Sequence, residues 1–348
     1  MNKEILFKIF RPLSPIYGGM MKLREMAYQS SILPVSRMEV PVISVGNLSM
    51  GGTGKTPLVI YLAGLMKKLS LKPAVISRGY KGRASSKVNL VSDGKTIFLS
   101  AEDCGDEPRL MAEKLPGIPV LTGKKRKYPC RYAIDKLGCN SLILDDAFQH
   151  LGVKRDLDLV LFNADSLAQD MRVFPGGELR EGFSALKRCD AIVFTGEVDK
   201  YLAEIKSFMQ KLEDLAISRP HFSARPGVPL ICNFKTGQPE GELKGRVAAF
   251  CGIGNPERFR QYLVGTGLEL AGFRAFPDHH RYKDGDIAAL ENMAEKHGAD
   301  YLLTTEKDRV KLHGRKFNLH IKYLSFELEL GEGFDSLVRQ RLELFRQS

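Results

Sequence analysis

The chain has 348 residues, of which 43% are hydrophobic and 27% are charged, a composition that is ordinary for a folded protein large enough for two domains. Its six cysteines are scattered and form no C-x-x-C pair, so the sequence indicates neither a zinc site nor a disulfide framework and favours a reducing, cytoplasmic setting. No apolar run approaches the ~18 residues of a spanning helix, and the formal net charge of +11 points to an anionic partner, which could be nucleic acid, a phosphorylated metabolite or an acidic membrane.

The first segment, residues 1–38, is both apolar and basic. It holds six lysines and arginines against two glutamates, and apolar residues such as Ile5, Phe7 and Ile9 surround Lys8 and Arg11. Such a segment suits the headgroup boundary of an anionic bilayer, where burial of apolar area and attraction between charges add together. A helix packed on its own domain explains the pattern equally well. Membrane docking and internal packing therefore both stay open.

A glycine-rich loop, NLSMGGTGKTP at residues 47–57, lies between an apolar run and a helical pattern. Strand, glycine-rich turn and helix together point backbone N–H groups and a helix N-terminus at an anion. In the pattern G-x-x-x-x-G-K-[ST] the lysine reaches the terminal phosphates of a nucleotide and the hydroxyl ligates Mg²⁺. Ser49 stands where the first glycine belongs. The predicted phosphate loop comprises Gly51, Gly52, Thr53, Gly54, Lys55 and Thr56, with Thr56 also a metal ligand.

Apolar, β-branched runs alternate with helical patterns along residues 39–217. Strands are predicted near 40–46, 73–77, 118–121, 141–145, 157–162 and 190–195, and helices near 55–68, 107–115, 126–137 and 200–215. This alternation predicts an α/β fold of the P-loop NTPase kind, with a mostly parallel sheet flanked by helices. Prolines and glycines at 218–245 predict an extended β linker. Regular patterns then resume and predict a second, smaller α/β domain at 246–348.

Two acids, Asp145 and Asp146, directly follow the apolar run 141–144. The carboxyl end of a strand beside a phosphate loop is where Mg²⁺ has to be held, directly or through water. Two adjacent buried acids without a cation would be costly, so we predict a metal-binding role for both. Gln149 and His150 are expected to line the same site at the end of this strand. His150 could equally be a hydrogen-bonded residue that supports the site.

A second acidic cluster, which contains Asp106 and Glu107, precedes the helical pattern RLMAEKL. Acids before Pro108 at the first helical position are typical of helix capping. An acid at a helix mouth is also well placed to take a proton from an attacking hydroxyl, as phosphoryl transfer to an alcohol requires. The residues alone leave capping and catalysis open.

Two loops carry cations that suit the capture of an anion. Arg78 and Tyr80 lie in SRGYKG after a predicted strand, and Arg180 and Glu181 lie in FPGGELRE, which is typical of a loop that closes over a site. Arg180 could neutralise charge in a transition state.

Two further segments carry candidate residues. Arg126 belongs to a run of four cations, and such a run is usually a solvated surface. His279 and His280 form the paired-histidine segment FPDHHRY. Because no third ligand is evident nearby, proton handling or loop hydrogen bonding is favoured there over metal binding.

Eight motifs, taken in order, resemble those of the tetraacyldisaccharide 4′-kinases, the lipid A 4′-kinases of Gram-negative bacteria. They are VGNLSMGGTGKTP, SRGYKG, GDEPRL, LDDAFQH, FPGGELRE, GIGNPERF, FPDHHRY and TTEKD, and they span about residues 40–310. The resemblance implies a kinase that uses ATP and Mg²⁺ to phosphorylate the 4′-hydroxyl of a tetraacyl glucosamine disaccharide 1-phosphate, giving lipid IVA. It also implies a peripheral location at the cytoplasmic face of the inner membrane, where residues 1–38 would dock.

The resemblance further implies roles for single residues. Lys55 and Thr56 match the family's phosphate and magnesium positions, and Asp145, Asp146 and Glu107 match acids expected near the metal. Asp106 matches the family's proposed general base, and His279 matches its supporting partner across a cleft between two domains. The other matched positions are Arg180 as a catalytic cation, and Arg78, Tyr80, Arg126, Gln149, His150 and Glu181 as contacts of the substrate headgroup.

The sequence departs from the family pattern in two places and leaves an alternative function. Ala147 stands where DDGFQH has a glycine, which puts the local turn geometry in question, and FPGGELREG replaces P-x-G-P-L-R-E-P, which leaves that loop's conformation open. The segment at residues 306–308 has no assigned role. The alternative is a membrane-associated P-loop ATPase switch. Nucleic-acid binding is disfavoured, because the cations lie at the N-terminus and in loops, without an aromatic-studded sheet.

Overall fold

A computed structural model describes residues 3–169, 171–240 and 244–347, which form two β-sheets with helices packed on them. The strands are β1 (Val42–Asn47), β2 (Pro73–Ser77), β3 (Asn89–Ser92), β4 (Val120–Thr122), β5 (Ser141–Asp145), β6 (Leu157–Asn163), β7 (Ala191–Thr195), β8 (His221–Pro226), β9 (Leu230–Asn233), β10 (Arg246–Cys251), β11 (Glu269–Ala275), β12 (Tyr301–Thr305), β13 (Ile321–Ser325) and β14 (Leu328–Leu330). The helices are α1 (Lys3–Phe10), α2 (Ser14–Gln29), α3 (Lys55–Lys68), α4 (Ala101–Cys104), α5 (Asp106–Lys114), α6 (Lys127–Asp135), α7 (Leu202–Asp214), α8 (Pro256–Gly265), α9 (Asp284–Lys296), α10 (Glu306–Arg309) and α11 (Phe334–Gln347).

The larger sheet has the strand order β14-β8-β7-β6-β1-β5-β2-β4-β3. The strands from β8 to β4 run parallel to one another, and the two edge strands are antiparallel to their neighbours. Every residue of β1, β2, β5 and β7 is buried, because helices on both faces of a parallel sheet demand continuous apolar runs. The strand order reverses at β1. Ligands of open α/β sheets bind beyond the carboxyl ends of the strands at such a point.

Helices cover both faces of the larger sheet. Leu58 and Leu62 of α3 pack with Ile43 and Val45 of β1 in the largest apolar cluster. On the opposite face, Phe208 of α7 packs in a second cluster with aromatic residues of β6 and β7. Each fully buried side chain of this size contributes about 1.5–3 kcal/mol. The predicted α/β fold with a mostly parallel sheet flanked by helices is confirmed.

The smaller sheet has the order β11-β10-β12-β13-β9. Its first four strands are parallel, and β9 pairs antiparallel with β13. Helix α8 packs Leu263 on one face, whereas α9 packs Leu290 on the other. The carboxyl ends of β10 and β12 carry the loops that meet the larger sheet at the site described below.

The segments before and after the smaller sheet differ from the prediction. The predicted linker, residues 218–245, contributes β8 to the larger sheet and β9 to the smaller one, while residues 241–243 lie outside the described residues. After β13 the chain returns, because β14 pairs with β8 and α11 buries Phe334 and Val338 in the core of the larger sheet. The predicted span 246–348 therefore contains a C-terminal part that packs elsewhere. We propose a larger unit formed by the described residues of 39–226 with 328–347, and a smaller unit formed by the described residues of 230–325.

Candidate active site

The glycine-rich loop lies between β1 and α3, as predicted. Gly51 (φ 122°) and Gly54 (φ 75°) occupy the left-handed backbone region, which glycine enters without steric cost. Lys55 is the first residue of α3, where the first backbone N–H groups have no partner inside the helix. The Thr195 hydroxyl at the end of β7 donates to the carbonyl oxygen of Thr53 over 3.1 Å. The loop shape is thus held by the protein itself.

Ser49, which replaces the first glycine of the motif, lies in a short antiparallel bridge. It pairs with Leu179, while the Met50 N–H donates to the Glu178 carbonyl (2.8 Å) and the Arg180 N–H donates to the Leu48 carbonyl (2.7 Å). Ser49 does not have a positive φ, so this position does not require glycine. The bridge joins the phosphate loop to the FPGGELRE loop and thereby brings Arg180 to the phosphate loop.

Asp146 is surrounded by cations. Its Oδ1 lies 3.5 Å from Lys55 Nζ, and Arg180 Nη1 donates to Oδ1 (3.0 Å) and Oδ2 (3.2 Å). Burial alone would raise the pKa of Asp146, but the charges of Lys55 and Arg180 outweigh it and hold this pKa below its ordinary value. Asp146 is therefore an anion at neutral pH, and the structure brings Lys55, Arg180 and Asp146 together.

Asp145, the last residue of β5, has the opposite environment. It is 2% exposed and accepts a hydrogen bond from the Ser77 hydroxyl (2.8 Å). Burial, followed by the negative charges of Glu107 and Asp146, raises the pKa of Asp145 to about 6. Glu107 therefore belongs to the same acidic group. A bound cation would relieve this repulsion.

The donor set of this acidic group fits Mg²⁺. Among the described residues, no three histidine, cysteine, aspartate or glutamate side chains converge into a metal cage. Mg²⁺ is usually held by one or two carboxylates together with phosphates and waters, and carboxylates are the oxygen ligands it prefers. Asp145, Asp146 and Glu107 supply such carboxylates, so they fit a metal that arrives with a nucleotide.

Asp106 and His279 form a pair that joins the two sheets. Asp106 is the first residue of α5, and its Oδ2 lies 2.8 Å from His279 Nδ1 in the loop after β11. The side chains are 12% and 15% exposed. His279 has φ 64°, and its N–H donates to the Gly252 carbonyl, which fixes the ring on the smaller sheet. Two residues that are 173 positions apart in sequence thus meet as predicted.

The segment without an assigned role, residues 306–308, connects the same two elements. Lys307 Nζ lies 3.4 Å from Glu107 Oε1 and 3.5 Å from Asp278 Oδ1, while Glu306 pairs with Lys114 of α5. Burial opposes the charge of Lys307, but the neighbouring acids outweigh burial and raise the pKa of Lys307. Lys307 is therefore a cation that ties the His279 loop to the start of α5.

The SRGYKG loop lies against the Asp106–His279 pair. Tyr80 is 61% exposed, and its ring centre lies 6.2 Å from that of His279. A Cβ atom at Gly105 would stand 2.6 Å from the Tyr80 carbonyl oxygen, so glycine allows this close approach. Arg78 is exposed beside the same loop.

Arg126 is buried, in contrast to the solvated surface that a run of cations favours. It is 2% exposed, and its Nη2 donates to the carbonyl oxygens of Asp145 (3.3 Å) and Asp146 (3.4 Å). Burial lowers the pKa of Arg126. Its observed contacts support the turn that carries the two acids, and a contact with the sugar phosphate stays a prediction.

The turn itself accounts for Ala147. Asp146 adopts the positive φ of 47°, whereas Ala147 does not have a positive φ and is fully buried. The conformational freedom of glycine is therefore not used at position 147, and alanine is compatible with the turn.

Gln149 and His150 follow the acids at the same edge of the sheet. Gln149 Nε2 donates to the Asn47 carbonyl at the end of β1 (2.9 Å), and its Oε1 accepts from Arg180 Nη1 (3.4 Å). Burial, followed by the charge of Arg126 and other arginines, lowers the pKa of His150 to about 4. His150 is therefore neutral at physiological pH.

Glu181 lies in a buried ion network. It is 5% exposed and accepts from Arg188 Nη2 (2.8 Å), and Arg188 also pairs with Glu25 of α2 over 2.8 Å. This network ties the N-terminal helix to the loop that carries Arg180. A contact between Glu181 and substrate stays a prediction.

The N-terminal helices have two different faces. On one face, Arg24 donates to the Gln149 carbonyl and Tyr17 packs edge-on against Phe174. None of the residues of α2 is buried. A row of exposed apolar side chains at helical spacing runs from α1 through the short turn at residues 11–13 into α2. These are Ile9, Leu13, Ile16, Met20 and Leu23, each 48–66% exposed. Among the described residues, no helix has the length and apolar character required to cross a membrane.

The FPGGELRE loop, whose conformation the sequence left open, packs on this N-terminal segment. The Gly176 N–H donates to the Ser14 hydroxyl (2.9 Å), and a Cβ atom at Gly176 would lie 2.9 Å from Arg11 Cα. Glycine at 176 is thus explained by the close approach of the N-terminal segment.

Sequence reasoning missed three residues that organise the site. They are Thr195, which holds the phosphate loop, Lys307, and Arg188. Thr195 carried a usable signal, since a polar residue ends the apolar run 191–194. The partners of Lys307 and Arg188 are distant in sequence, and no local pattern indicates them.

The fold and the site together define a P-loop protein built for phosphoryl transfer. A glycine-rich loop with its lysine follows the strand at which the sheet order reverses, and paired acids follow the neighbouring strand. A sequence profile described as tetraacyldisaccharide-1-P 4′-kinase matches residues 6–343. The chain belongs to this family, and it is a kinase.

Relatives and a solved structure agree with this assignment. The chain is 44% identical over 337 residues to a tetraacyldisaccharide 4′-kinase of Desulfotalea psychrophila, and the match covers 97% of each chain. It is 39% identical over 351 residues to a tetraacyldisaccharide 4′-kinase of Syntrophus aciditrophicus, and that match covers 97% of this chain and 93% of the relative. The crystal structure of LpxK from Aquifex aeolicus in complex with ATP superposes with a TM-score of 0.77 at 31% identity, covering 97% of this chain and 99% of that one.

Proposed function

We propose that residues 51–56 hold the triphosphate of ATP and that Asp106 activates the acceptor hydroxyl for attack on the terminal phosphorus. The activity is that of the family, the phosphorylation of a tetraacyldisaccharide 1-phosphate, a lipid A precursor, at its 4′ position. The product is lipid IVA, and the cofactors are ATP and Mg²⁺. Because this is a kinase family, the alternative of a P-loop ATPase switch is not retained.

The observation that carries the mechanism is the 2.8 Å contact between Asp106 and His279. Asp106 adjoins Glu107, whose charge acts on Asp145 beside the phosphate loop, and this supports a position of the pair near the terminal phosphate of a bound nucleotide. A general base must be an anion within reach of the hydroxyl proton. His279 orients the Asp106 carboxylate and can share the proton once it has been taken.

The cations of the loop support positioning and charge stabilisation. Lys55 would contact the terminal phosphates, and Arg180 would stabilise the charge that spreads over the transferred group. Both now pair with Asp146, so they are already oriented before a ligand binds. Such orientation removes much of the cost of assembling the reacting groups.

Thr56, Asp145, Asp146 and Glu107 are the residues that would hold Mg²⁺. When bound, the ion neutralises charge on the phosphate oxygens of the nucleotide. The raised pKa of Asp145 supports this assignment, since the site has an excess of negative charge when no cation is present.

Arg78, Tyr80, Arg126, Gln149, His150 and Glu181 are proposed to contact or to shape the binding site for the disaccharide headgroup. Tyr80 and Arg78 have the strongest support, because they are exposed beside the Asp106–His279 pair. Arg126 and Glu181 would act indirectly, through the turn and the ion network that they hold.

The exposed apolar row on α1 and α2 supports docking at the surface of the inner membrane, on its cytoplasmic face, where a lipid acceptor resides. Lys8, Arg11 and Lys22 lie on the same exposed segment, and apolar burial adds to the attraction between cations and anionic lipids. The opposite face of α2 contacts the loop that carries Arg180, so docking would bring the acceptor close to the site.

The proposed roles are tested with γ-labelled ATP, Mg²⁺ and a tetraacyl disaccharide 1-phosphate in detergent. Labelled lipid is expected from the wild-type protein and not from the Asp106→Ala variant, although this variant should still bind ATP. Asp103→Ala, which removes a neighbouring carboxylate on α4, is the matched control. Full activity of the Asp106 variant would remove Asp106 from the mechanism.

A further inference from the structure

Two buried oxygen atoms at the end of β6 have no hydrogen-bond donor among the residues that the structure describes. They are Oδ1 of Asn163, the last residue of the strand, and Oδ1 of Asp165, in the short turn that follows. A buried acceptor without a donor has lost its bonds to water, which destabilises the folded chain. The mechanism proposed above uses neither residue.

Two consecutive residues, Thr195 and Gly196, connect both oxygens to the phosphate loop. Thr195 of β7 contacts Thr53 and Gly54 of the loop, and the next residue is Gly196. At Gly196, which has φ 91°, a Cβ atom would collide with Asn163 Oδ1 and stand 3.1 Å from Asp165 Oδ1. The two acceptors are thus separated from the phosphate loop by a two-residue segment.

The direction of a nucleotide on this loop follows from the strand order. Lys55, Asp146 and the Asp106–His279 pair mark the β5 side of β1 as the end for the terminal phosphate. A triphosphate that begins there would cross the loop, and its nucleoside would leave on the opposite side, where β6 and β7 end. Asn163, Asp165 and Gly196 occupy that side.

We propose that Asn163 and Asp165 are specificity-determining residues that accept hydrogen bonds from the exocyclic amine of adenine. Both unpaired atoms are acceptors, so they complement a base edge that donates and oppose one that presents an oxygen at that position. Arg258 of α8, whose Nη2 would lie 3.3 Å from a Cβ at Gly196, covers the same place from the smaller sheet. The inference rests on the proposed use of ATP.

The test compares ATP with purine riboside triphosphate, which is ATP without its 6-amino group. Binding of each to the full chain with Mg²⁺ is measured by titration calorimetry. The wild-type protein should bind ATP about tenfold to a hundredfold more tightly. Asn163→Ala and Asp165→Ala should each reduce this preference, and the double variant should lose it.

Controls separate base recognition from a structural role. Asn140→Ala removes an asparagine whose Oδ1 accepts from the Lys72 N–H far from the loop, and it should keep the full preference. Asn163→Ala should also leave the melting temperature without nucleotide unchanged or raised, because an acceptor without a donor is removed.

Three results would contradict the inference. Equal binding of the two triphosphates by the wild-type protein, or an unchanged preference in the double variant, would overturn base recognition alone. Binding of neither triphosphate by the wild-type protein would overturn the proposed use of ATP as well.

Discussion

Replacing Asp145 by asparagine should stabilise the nucleotide-free protein at neutral pH while it lowers kinase activity. Burial, together with the charges of Glu107 and Asp146, raises the pKa of Asp145 from its ordinary 3.8 to about 6. The folded protein therefore binds this proton more tightly than the unfolded chain does, and ionisation costs stability. At about 1.36 kcal/mol per pH unit, the difference amounts to about 3 kcal/mol.

The gain has a definite dependence on pH. Well below pH 4 the carboxyl group is protonated in both the folded and the unfolded chain, so asparagine has no advantage. The cost of the carboxylate grows as pH rises from 4 to 6 and is complete at pH 7.5. The bond from Ser77 is kept, because the amide oxygen of asparagine also accepts.

The assay is urea unfolding of the wild-type protein and the Asp145→Asn variant without Mg²⁺ or nucleotide. The variant's free energy of unfolding should rise by up to about 3 kcal/mol at pH 7.5 and by less than half of that at pH 4.5. Asp146→Asn is the matched control with the opposite sign, since it leaves Lys55 and Arg180 facing each other without a counter-charge. A gain of equal size at both pH values, or stabilisation by both variants, would refute the reasoning.

Three further substitutions test the catalytic pair, the bridge between the sheets and the membrane surface. Asp106→Asn should lower turnover on the lipid by about 10²–10⁴-fold with ATP binding retained in calorimetry; turnover within a few-fold of wild type would contradict a general base. Lys307→Met should lower turnover about tenfold to a hundredfold, as loss of a supporting contact does, because Glu107 loses its cation. Lys296→Met on the exposed side of α9 is its control, and equal effects would exclude a specific bridge. Leu23→Glu should weaken binding to anionic vesicles about tenfold or more in a sedimentation assay, with activity on detergent-dispersed acceptor retained; unchanged vesicle binding would argue against docking through α2.

Much of the larger sheet could be predicted because each buried parallel strand is a continuous apolar run with turn residues at its ends. The predicted runs 73–77 and 141–145 coincide with β2 and β5. The edge strands β3 and β14 were not predicted, since they have four and three residues and are only partly buried. Short half-buried strands carry little periodicity.

The position of the C-terminal helix could not be predicted for a different reason. Phe334, Val338 and Leu342 recur at helical spacing, which indicates an apolar face but not the core that receives it. The cores of the larger and the smaller sheet are both apolar, so either could have received this face. The pairing of β14 with β8 places the helix on the larger sheet.

Those residues of the candidate site that belong to local sequence motifs could be predicted. Lys55, Asp146 and Arg180 lie in three separate motifs, and the sheet brings them together. Burial of Arg126 under the acidic turn was not predictable, because a run of cations looks the same whether or not one member folds inward. The pairing of Glu181 with Arg188 was equally hidden, since either side chain could have faced solvent.

The return of β14 to β8 has a consequence for how His279 reaches Asp106. Residues 227–327 form a closed excursion whose two ends are fixed on neighbouring strands of the larger sheet. A segment attached at one end samples a large volume, whereas a segment attached at both ends keeps its loops within a small volume. The effective concentration of the His279 imidazole at the Asp106 carboxylate is therefore high. The entropy cost of bringing the two side chains together is part of the cost of folding the chain.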